Sequence, residues 1–196
     1  ELENAFCAVR PPGHHATRNK AMGFCFFNNV AVAAKYALQR HNLKRVAVID
    51  FDVHHGNGTE DILAGDERAL MCSFFQHPFY PYSGDQNPAP NMCNVPVPAY
   101  SKGMDIREVV EMMWIPRLEE FQPEMMFISA GFDAHREDDM GQLGLTEQDF
   151  SWITQRLKDV ARRYCNGRIV SCLEGGYIPS ALARSVEAHL RVLADV

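Results

Sequence analysis

The sequence has 196 residues, of which 46% are hydrophobic and 22% are charged, and these values are typical of one globular domain. Its net charge of -6 and the absence of a Lys/Arg cluster argue against direct contact with nucleic acid. No segment approaches the roughly 18 uninterrupted apolar residues of a transmembrane helix, so no membrane partner is expected.

The six cysteines form no Cys-x-x-Cys pair, and most of them lie in apolar runs. We therefore expect buried free thiols in a reducing compartment rather than disulfides. The acidic N-terminus lacks the basic and apolar regions of a signal peptide. Together these features predict a cytoplasmic protein. Because the sequence starts without Met and enters an apolar strand directly, we also expect residues before Glu1.

Short apolar runs alternate with amphipathic segments along the chain. Strands are predicted at residues 5–9, from 46, and at 69–75, 94–98, 125–130 and 168–173. Helices are predicted after Asn28 or Asn29, at 59–63, at 105–121 with a kink at Pro116, from a capping segment at 146–149 to 164, and from 179. The alternation indicates an α/β fold with three layers, a mostly parallel sheet with helices on both faces. Residues 1–196 are expected to form a single domain.

In such a sheet, functional groups gather beyond the carboxyl ends of the strands. The predicted strand ends carry, in order, His14 and His15, then Asp50, Asp52 and His54, then an aromatic loop around Tyr80, then Asp133, and finally Tyr177. So many polar and aromatic groups on one rim predict a functional site there.

Asp50, Asp52 and His54 follow a β-branched run that is typical of a strand buried on both faces. They are spaced two residues apart, so an extended backbone would point all three to one side. Because buried carboxylates repel each other, and because Asp and His are good ligands, a divalent metal ion is the simplest partner. A solvated loop is the alternative. The Gly-Asn-Gly turn that follows favours the interpretation that this run supplies half of the ligands of a metal site.

Asp133, after another apolar strand, either caps a turn or completes an Asp/His/Asp set with open positions, as a catalytic zinc site requires. His14 and His15 follow a Pro-Pro-Gly sequence in a loop, and the two imidazoles can have different roles. One imidazole can take a proton from water while the other stays cationic. Asp50 could orient one imidazole, and Asn57 could orient the other.

For three aromatic residues the sequence pattern allows both a functional and a structural interpretation. Tyr177 follows Gly175 and Gly176, and it either donates a hydrogen bond to a developing oxyanion or lies half-buried at the sheet edge. Phe24 and Tyr80 are either core residues or the walls of a narrow apolar channel.

Five ordered motifs carry a resemblance to a known family. They are RPPGHHA at 10–16, GFCFFNN at 23–29, DFDVHHGNG at 50–58, SAGFDA at 129–134 and LEGGY at 173–177. With these motifs the chain resembles the zinc-dependent histone deacetylase family, in particular its class II branch with the related bacterial amidohydrolases. The resemblance covers nearly the whole sequence. It implies an arginase/deacetylase-like fold of which the N-terminal part is missing here.

The resemblance also implies roles for the residues that match the motifs. Asp52, His54 and Asp133 would be the ligands of one catalytic zinc ion. The catalytic positions would be His15 as general base and then acid, Asn57 beside it, His14 paired with Asp50, and Tyr177 polarising the acetyl carbonyl. The substrate would meet Gly23, Phe24, Tyr80, Met140, Gly175 and Gly176. A structural potassium ion would be held by Asp50, Asp52, His54, Ser73 and Phe74.

The implied reaction is the hydrolysis of an N-acetyl amide to acetate and a free amine. An acetylated lysine in a protein or peptide is the favoured substrate, because Met140 stands where polyamine-selective relatives carry Glu. An acetylpolyamine is the alternative, since Glu137, Asp138 and Asp139 lie close by and could substitute for that Glu. Zinc and iron(II) both fit the ligand set, and the pattern is compatible with a homo-oligomer.

Two other hypotheses about the function compete with that of a deacetylase. A binuclear ureohydrolase resembling arginase would explain the Asp-Ala-His run at 133–135, but the paired motifs for a second metal are missing. A non-catalytic scaffold would be expected to lose a ligand, His15 or Tyr177, and all of these are present. Two departures from the family pattern are Tyr80, where Phe is more usual, and Asn57, where class I enzymes carry Asp.

Overall fold

The apolar runs of the sequence form the strands of one sheet in the computed structural model, which describes residues 3–196. The strands are β1 (Asn4–Cys7), β2 (Val46–Asp50), β3 (Ala69–Gln76), β4 (Met92–Val97), β5 (Met125–Ala130) and β6 (Ile169–Leu173). Their order across the sheet is β1-β6-β5-β2-β3-β4, and every pairing is parallel. The predicted parallel sheet is confirmed.

Helices connect the strands. They are α1 (Asn29–Arg40), α2 (Asn57–Leu63), α3 (Gly103–Val109), α4 (Ile115–Phe121), α5 (Glu147–Tyr164) and α6 (Pro179–Ala194). Asn28 is the residue that caps α1, since its Oδ1 accepts the N–H of Ala31 at 2.9 Å. At α5, the N–H and hydroxyl of Thr146 both donate to Asp149, as the predicted capping segment requires.

The long helical segment between β4 and β5 is interrupted just before Pro116, the residue at which the sequence predicts a kink. A π-helical turn, Val110–Trp114, separates α3 from α4, and Pro116 is the second residue of α4. Proline has no N–H to donate, and its ring excludes the carbonyl four residues earlier. The wider π turn accommodates this local loss of the α-helical pattern.

Alternating residues of β2 face two separate cores. Ala47 and Ile49 pack in a large core with residues of α3 to α6, including Phe150, and with Trp114 of the π-helical turn. Val46 and Val48 pack in a smaller core with residues of α1 and α2. Because both faces of the strand are apolar, both must be covered, which produces the three predicted layers.

The strand order places the candidate site at a switch point. From β2 the chain runs outward to β3 and β4, and it then returns to the other side of β2 as β5. Asp50 at the end of β2 pairs with Ser129 near the end of β5, so the loops that follow are neighbours. All six cysteines are free, as predicted. None of the helices in the described range is long and apolar enough to cross a bilayer.

Candidate active site

The chain turns sharply at the end of β2. The strand ends at Asp50. Beyond it, two backbone N–H groups donate to side chains of the same segment and not to a neighbouring strand. Asp50 Oδ1 accepts the N–H of Asp52 at 3.2 Å, and Asp52 Oδ1 accepts the N–H of His54 at 2.9 Å. The strand therefore ends before Asp52, and the orientation of all three side chains to one side stays a prediction. Asp50 Oδ2 lies 2.9 Å from Nδ1 of His14, and Asp52 Oδ2 lies 3.7 Å from Nε2 of the same ring. Asp52 and His54 also lie beside Asp133.

Asp52, His54 and Asp133 form what we call the metal cluster. Their ligand atoms lie within 4.8 Å of one another, and all three residues are buried. His54 Nδ1 is 3.0 Å from Asp52 Oδ1 and 3.2 Å from Asp133 Oδ2. Among the described residues, Asp133 Oδ2 accepts no well-directed hydrogen bond although it is buried. An imidazole nitrogen with carboxylate oxygens is a donor set that suits zinc or iron(II).

Backbone groups hold the two carboxylates in place. The N–H of Gly175 donates to Asp52 Oδ2 at 2.8 Å, and the N–H of Val53 donates to Asp133 Oδ1 at 3.0 Å. A Cβ atom on Gly175 would overlap with both carboxylates. Glycine is required here because the loop after β6 passes directly over the cluster.

The cluster stabilises a positive charge at its centre. Burial raises the pKa of Asp133 to about 6, and the nearby charge of Asp52 adds to this effect. Burial alone would lower the pKa of His54, but the close carboxylates of Asp133 and Asp52 raise that pKa to about 10. A proton on His54 or a divalent cation can supply the positive charge that these carboxylates favour.

The two histidines of the Pro-Pro-Gly loop have different partners. His14 Nδ1 lies 2.9 Å from Asp50 Oδ2, and His15 Nδ1 lies 2.8 Å from Asn57 Oδ1. Burial opposes a charge on His14, yet the charges of Asp50, Asp52 and Glu174 raise its pKa well above the ordinary value. Burial and the charge of His14 lower the pKa of His15 to about 3. His14 is therefore cationic, and His15 is neutral and able to accept a proton.

Glu174 is a buried residue to which the sequence analysis assigned no role. Its Oε2 accepts the N–H groups of Gly13 at 2.6 Å and His14 at 3.1 Å, and its Oε1 accepts the hydroxyl of Ser129 at 3.0 Å. The carboxyl group thus fastens the histidine loop to the sheet, and burial raises its pKa to about 7. A carboxylate at the end of an apolar strand, the same signal as at Asp50, could have identified it.

A channel leads from the surface to the metal cluster. Its cavity of about 460 Å³ is lined by His15, Gly23, Phe24, His54, Phe79, Tyr80, Asp139, Met140 and Tyr177. Four of the predicted substrate contacts, Gly23, Phe24, Tyr80 and Met140, lie in this lining. Asp139, which the sequence analysis named with Glu137 and Asp138 as a substitute for the Glu of polyamine-selective relatives, also lies in the lining, whereas Phe79 was not predicted. The ring of Phe79 stacks on His54 with 5.4 Å between centroids, and its position in the aromatic loop beside Tyr80 was the available signal.

Tyr177 lies in the channel lining, where its ring centroid is 6.1 Å from that of Phe24. Burial raises the pKa of its phenol, and the charges of Asp52 and Asp133 raise it further, so the hydroxyl stays protonated and can donate a hydrogen bond. Arg10 supports this region, because its Nη2 donates to the carbonyl of Gly176 at 2.8 Å and its guanidinium lies 5.8 Å from the Tyr177 ring centroid.

Other predicted residues lie behind the channel. Gly175 packs against the metal cluster, and Gly176 binds Arg10, so their contact with substrate stays a prediction. Ser73 pairs with Asp50 in the sheet and donates to Asn94 Oδ1 at 3.3 Å. Phe74 is buried and stacks on Trp114. The potassium site formed by this region also stays a prediction.

Several known proteins are similar to this chain in sequence and in fold. Residues 1–193 match the family described as the histone deacetylase domain. The type-2 histone deacetylase 2 of Dictyostelium discoideum is 41% identical over 97% of this chain and 12% of its own length. The chloroplastic histone deacetylase 14 of Arabidopsis thaliana is 39% identical over 96% of this chain and 46% of its own length.

Two further comparisons extend the match. The histone deacetylase-like amidohydrolase of Pseudomonas aeruginosa is 39% identical over 90% of this chain and 48% of its own length. The crystal structure of the HDA15 HD domain superimposes with a TM-score of 0.91 at 38% identity, over 98% of this chain and 56% of that one. The present chain thus spans about half, or less, of the length of these four proteins. The resemblance drawn from the five motifs is confirmed.

Proposed function

This chain belongs to the histone deacetylase family, and we propose that it is an amidohydrolase that removes the acetyl group from acetylated lysine in proteins or peptides. The observation that carries this proposal is the metal cluster at the floor of a channel whose walls include His15 and Tyr177. Hydrolysis of an acetamide needs an activated water, a base and an oxyanion donor. His15, His54 and Tyr177 line the same channel, and we propose that they and the metal cluster perform these three tasks.

The metal cluster suits the zinc ion on which this family depends. Three buried residues offer one nitrogen and carboxylate oxygens, and His54 borders the channel, so an ion held by them would be accessible from the channel. When bound, zinc would supply Lewis acidity that polarises the acetyl carbonyl and lowers the pKa of water. Asp52, His54 and Asp133 are the proposed ligands. A structural potassium ion near Asp50 and Ser73 is part of the same proposal.

The histidine pair is proposed to move the proton. His15 borders the channel and has a neutral imidazole, so it can take a proton from water and return it to the departing amine. Its bond to Asn57 orients the ring. The cationic His14, held by Asp50, stabilises negative charge that develops nearby.

Tyr177 is proposed to donate its phenolic proton in a hydrogen bond to the developing oxyanion. Its raised pKa keeps the proton on the phenol, as this role requires. Phe24, Phe79 and Tyr80 surround the upper channel with aromatic rings, which suit the methylene chain of an acyl-lysine. An acetylpolyamine has the same chain and is the second candidate, favoured by the carboxylate of Asp139 in the channel wall.

The test is the release of acetate by the zinc-loaded protein, in its full natural polypeptide, from an acetyl-lysine peptide and from an N-acetylpolyamine. Asp52→Ala and Tyr177→Phe are the test variants. Asp159→Ala on α5 and Tyr36→Phe on α1, both outside the site, are the matched controls. We expect both test variants to lose most of the activity and both controls to retain it.

The ratio of the two substrate rates decides between acyl-lysine and acylpolyamine. If the wild-type protein binds zinc but releases acetate from neither substrate, the deacetylase proposal is wrong. A non-catalytic binding module would then be the better account of the same fold.

A further inference from the structure

Three consecutive acidic residues follow β5, and the structure places them in different surroundings. Glu137 is exposed, and its carboxylate pairs with Arg184 at 2.8 Å. Asp139 is exposed in the channel wall. Asp138 is buried between the loop that carries Met140 and the start of α6. Of the three, Asp138 contacts the proposed catalytic machinery through the backbone.

Asp138 joins two loops with one carboxylate. Its Oδ2 accepts the N–H of Tyr177 at 2.7 Å and the N–H of Ile178 at 3.3 Å. Its Oδ1 accepts the N–H of Met140 at 3.0 Å. The same side chain therefore holds the backbone of the proposed oxyanion donor, Tyr177, and the backbone of Met140, a second residue of the channel lining.

The hydrogen bonds of Asp138 to Tyr177 and Ile178 lie at the N-terminus of a helix, where an acceptor is needed. Tyr177 and Ile178 immediately precede α6, where backbone N–H groups have no helical partner, and Pro179 has no N–H to donate. A carboxylate at this end of a helix interacts favourably with the helix dipole. Hydrogen bonds to an ionised acceptor are about twice as strong as neutral ones, and burial protects these from water.

The backbone before Tyr177 offers little restraint of its own. Gly175 and Gly176 precede it, and Gly176 has a φ of 130°, a conformation that glycine adopts easily and other residues rarely do. Glycine pairs leave a segment free to move unless other contacts hold it. Gly175 is held by its N–H bond to Asp52 and by the N–H of Phe132 on its carbonyl. Beyond Gly175, Arg10 binds the carbonyl of Gly176 and Asp138 binds the N–H of Tyr177.

We propose that Asp138 is a positioning residue that sets the location of the Tyr177 phenol above the metal cluster and, through Met140, the shape of the channel. The kinetic part of this inference rests on the proposed deacetylase function, while the structural part does not. A displacement of about 1 Å at a catalytic group can lower a rate by about 100-fold, so a lost backbone anchor is sufficient to reduce turnover.

The first experiment measures amide hydrogen exchange by NMR in the zinc-loaded protein. In Asp138→Ala, the N–H groups of Met140, Tyr177 and Ile178 should exchange at least about 10-fold faster, since each hydrogen bond is worth at least about 1.5 kcal/mol when its acceptor is charged. Asp138→Asn keeps one acceptor oxygen and should fall between Asp138→Ala and wild type. Glu137→Gln removes the same charge one residue away and should leave all three exchange rates unchanged.

The second experiment is a double-mutant cycle with Tyr177→Phe, scored by kcat for the acetyl-lysine peptide. If Asp138 acts through the phenol, Asp138→Asn should lower kcat by about 10-fold in wild type but by less than about 2-fold in the Tyr177→Phe background. A residue that merely stabilises the fold would lower kcat by the same factor in both backgrounds.

The outcomes separate this inference from the proposed function. Equal factors in the cycle, or unchanged exchange at Tyr177 and Ile178 in both Asp138 variants, would overturn the positioning role. A wild-type protein that releases no acetate would overturn the deacetylase function, and the exchange experiment would still decide whether Asp138 anchors Tyr177. If Asp138→Ala fails to fold, Asp138→Asn with its single acceptor oxygen provides both measurements.

Discussion

The floor of the site and the walls of the channel above it are held in different ways. On the floor, Asp52, Asp133 and His14 are each at most 2% exposed, and each has a partner from another element of the fold. In the walls, Phe24 is 66% exposed and Met140 is 36% exposed. Floor residues depend on one another for position and charge, whereas wall residues offer surface to a ligand.

This difference indicates how the fold divides its tasks. A reaction centre needs groups in one geometry, and a buried hydrogen-bonded network supplies it. A channel that accepts a flexible chain needs mainly apolar area of suitable width. We therefore expect substitutions on the floor to abolish metal binding or alter stability, and substitutions in the walls to change substrate affinity.

The largest effect is expected for Asp133→Asn on the floor. The amide removes a charge from the metal cluster and places a donor group beside His54. Zinc content, measured by elemental analysis after dialysis, should fall below half of one equivalent. Deacetylation should fall by about 1000-fold or more, because metal catalysis is worth several kcal/mol. Asp159→Asn on α5 is the control, and near-normal zinc in Asp133→Asn would argue against this ligand.

The second prediction concerns Glu174 and pH. Burial raises the pKa of Glu174 from 4.5 to about 7 on folding. The positive charge of His14 opposes this rise, and the negative charge of Asp50 adds to it. A raised folded-state pKa contributes stability that is present below pH 4.5 and is lost as the pH rises through 7. Relative to Glu174→Gln, the wild type should lose on the order of 3 kcal/mol of unfolding free energy over this range.

Urea unfolding of both proteins at several pH values, with a chelator present throughout, measures this difference. His14 and Asp50 face Glu174 and titrate in both proteins, so the comparison reports the carboxyl group together with its coupling to these two neighbours. A stability difference that does not vary between pH 4.5 and 7 would contradict the prediction.

The third prediction tests the glycine that covers the cluster. In Gly175→Ala the new methyl group would overlap with the carboxylates of Asp52 and Asp133, which must then move apart. Metal affinity should fall by about 10-fold to 100-fold, as for other residues that orient ligands. Gly144→Ala is the matched control, since its added Cβ would meet its nearest neighbour at an ordinary 3.4 Å. A competition assay with a fluorescent zinc chelator measures both variants.

In the channel walls, Phe24→Ala should mainly raise KM. Loss of one large apolar contact is worth about 1–3 kcal/mol, which corresponds to about a 10-fold increase in KM for the acetyl-lysine peptide. The floor is untouched, so kcat should change by less than about 3-fold. Phe26→Ala is the control, because Phe26 is 69% exposed in the same segment but is not part of the channel lining. A loss confined to kcat would place Phe24 in the reaction rather than in binding.

The smallest effect is expected for Asp139→Asn. Its exposed carboxylate in the channel wall should favour substrates with a second positive charge, such as a peptide with Lys beside the acetyl-lysine. The preference for such a peptide over a neutral one should fall by about 2-fold to 5-fold, and added salt should diminish it in the wild type. Glu137→Gln on the same loop is the charge-matched control. A preference that neither the variant nor salt alters would exclude this role.

Much of the fold could be predicted from local patterns. The β-branched run at β2 and the capping segment at Thr146 led to elements that the structure contains. The position of Pro116 predicted an interruption of the helix, but its form, a π turn before the proline, depends on how that helix packs. The turn after Asp50 was missed, because alternation alone cannot reveal side chains that bond to their own backbone.

Local patterns in the sequence were sufficient to predict the sheet, the elements that cover it and most of the residues at its carboxyl edge. The partner of each buried carboxylate depends on how the chain folds. Asp50 meets His14, Glu174 meets the backbone of the histidine loop, and Asp138 meets the backbone of Tyr177. These partners are 36, 160 and 39 residues apart in the chain. Periodicity and propensity describe neighbours in sequence, whereas these contacts arise because strands distant in sequence end at one edge of the sheet.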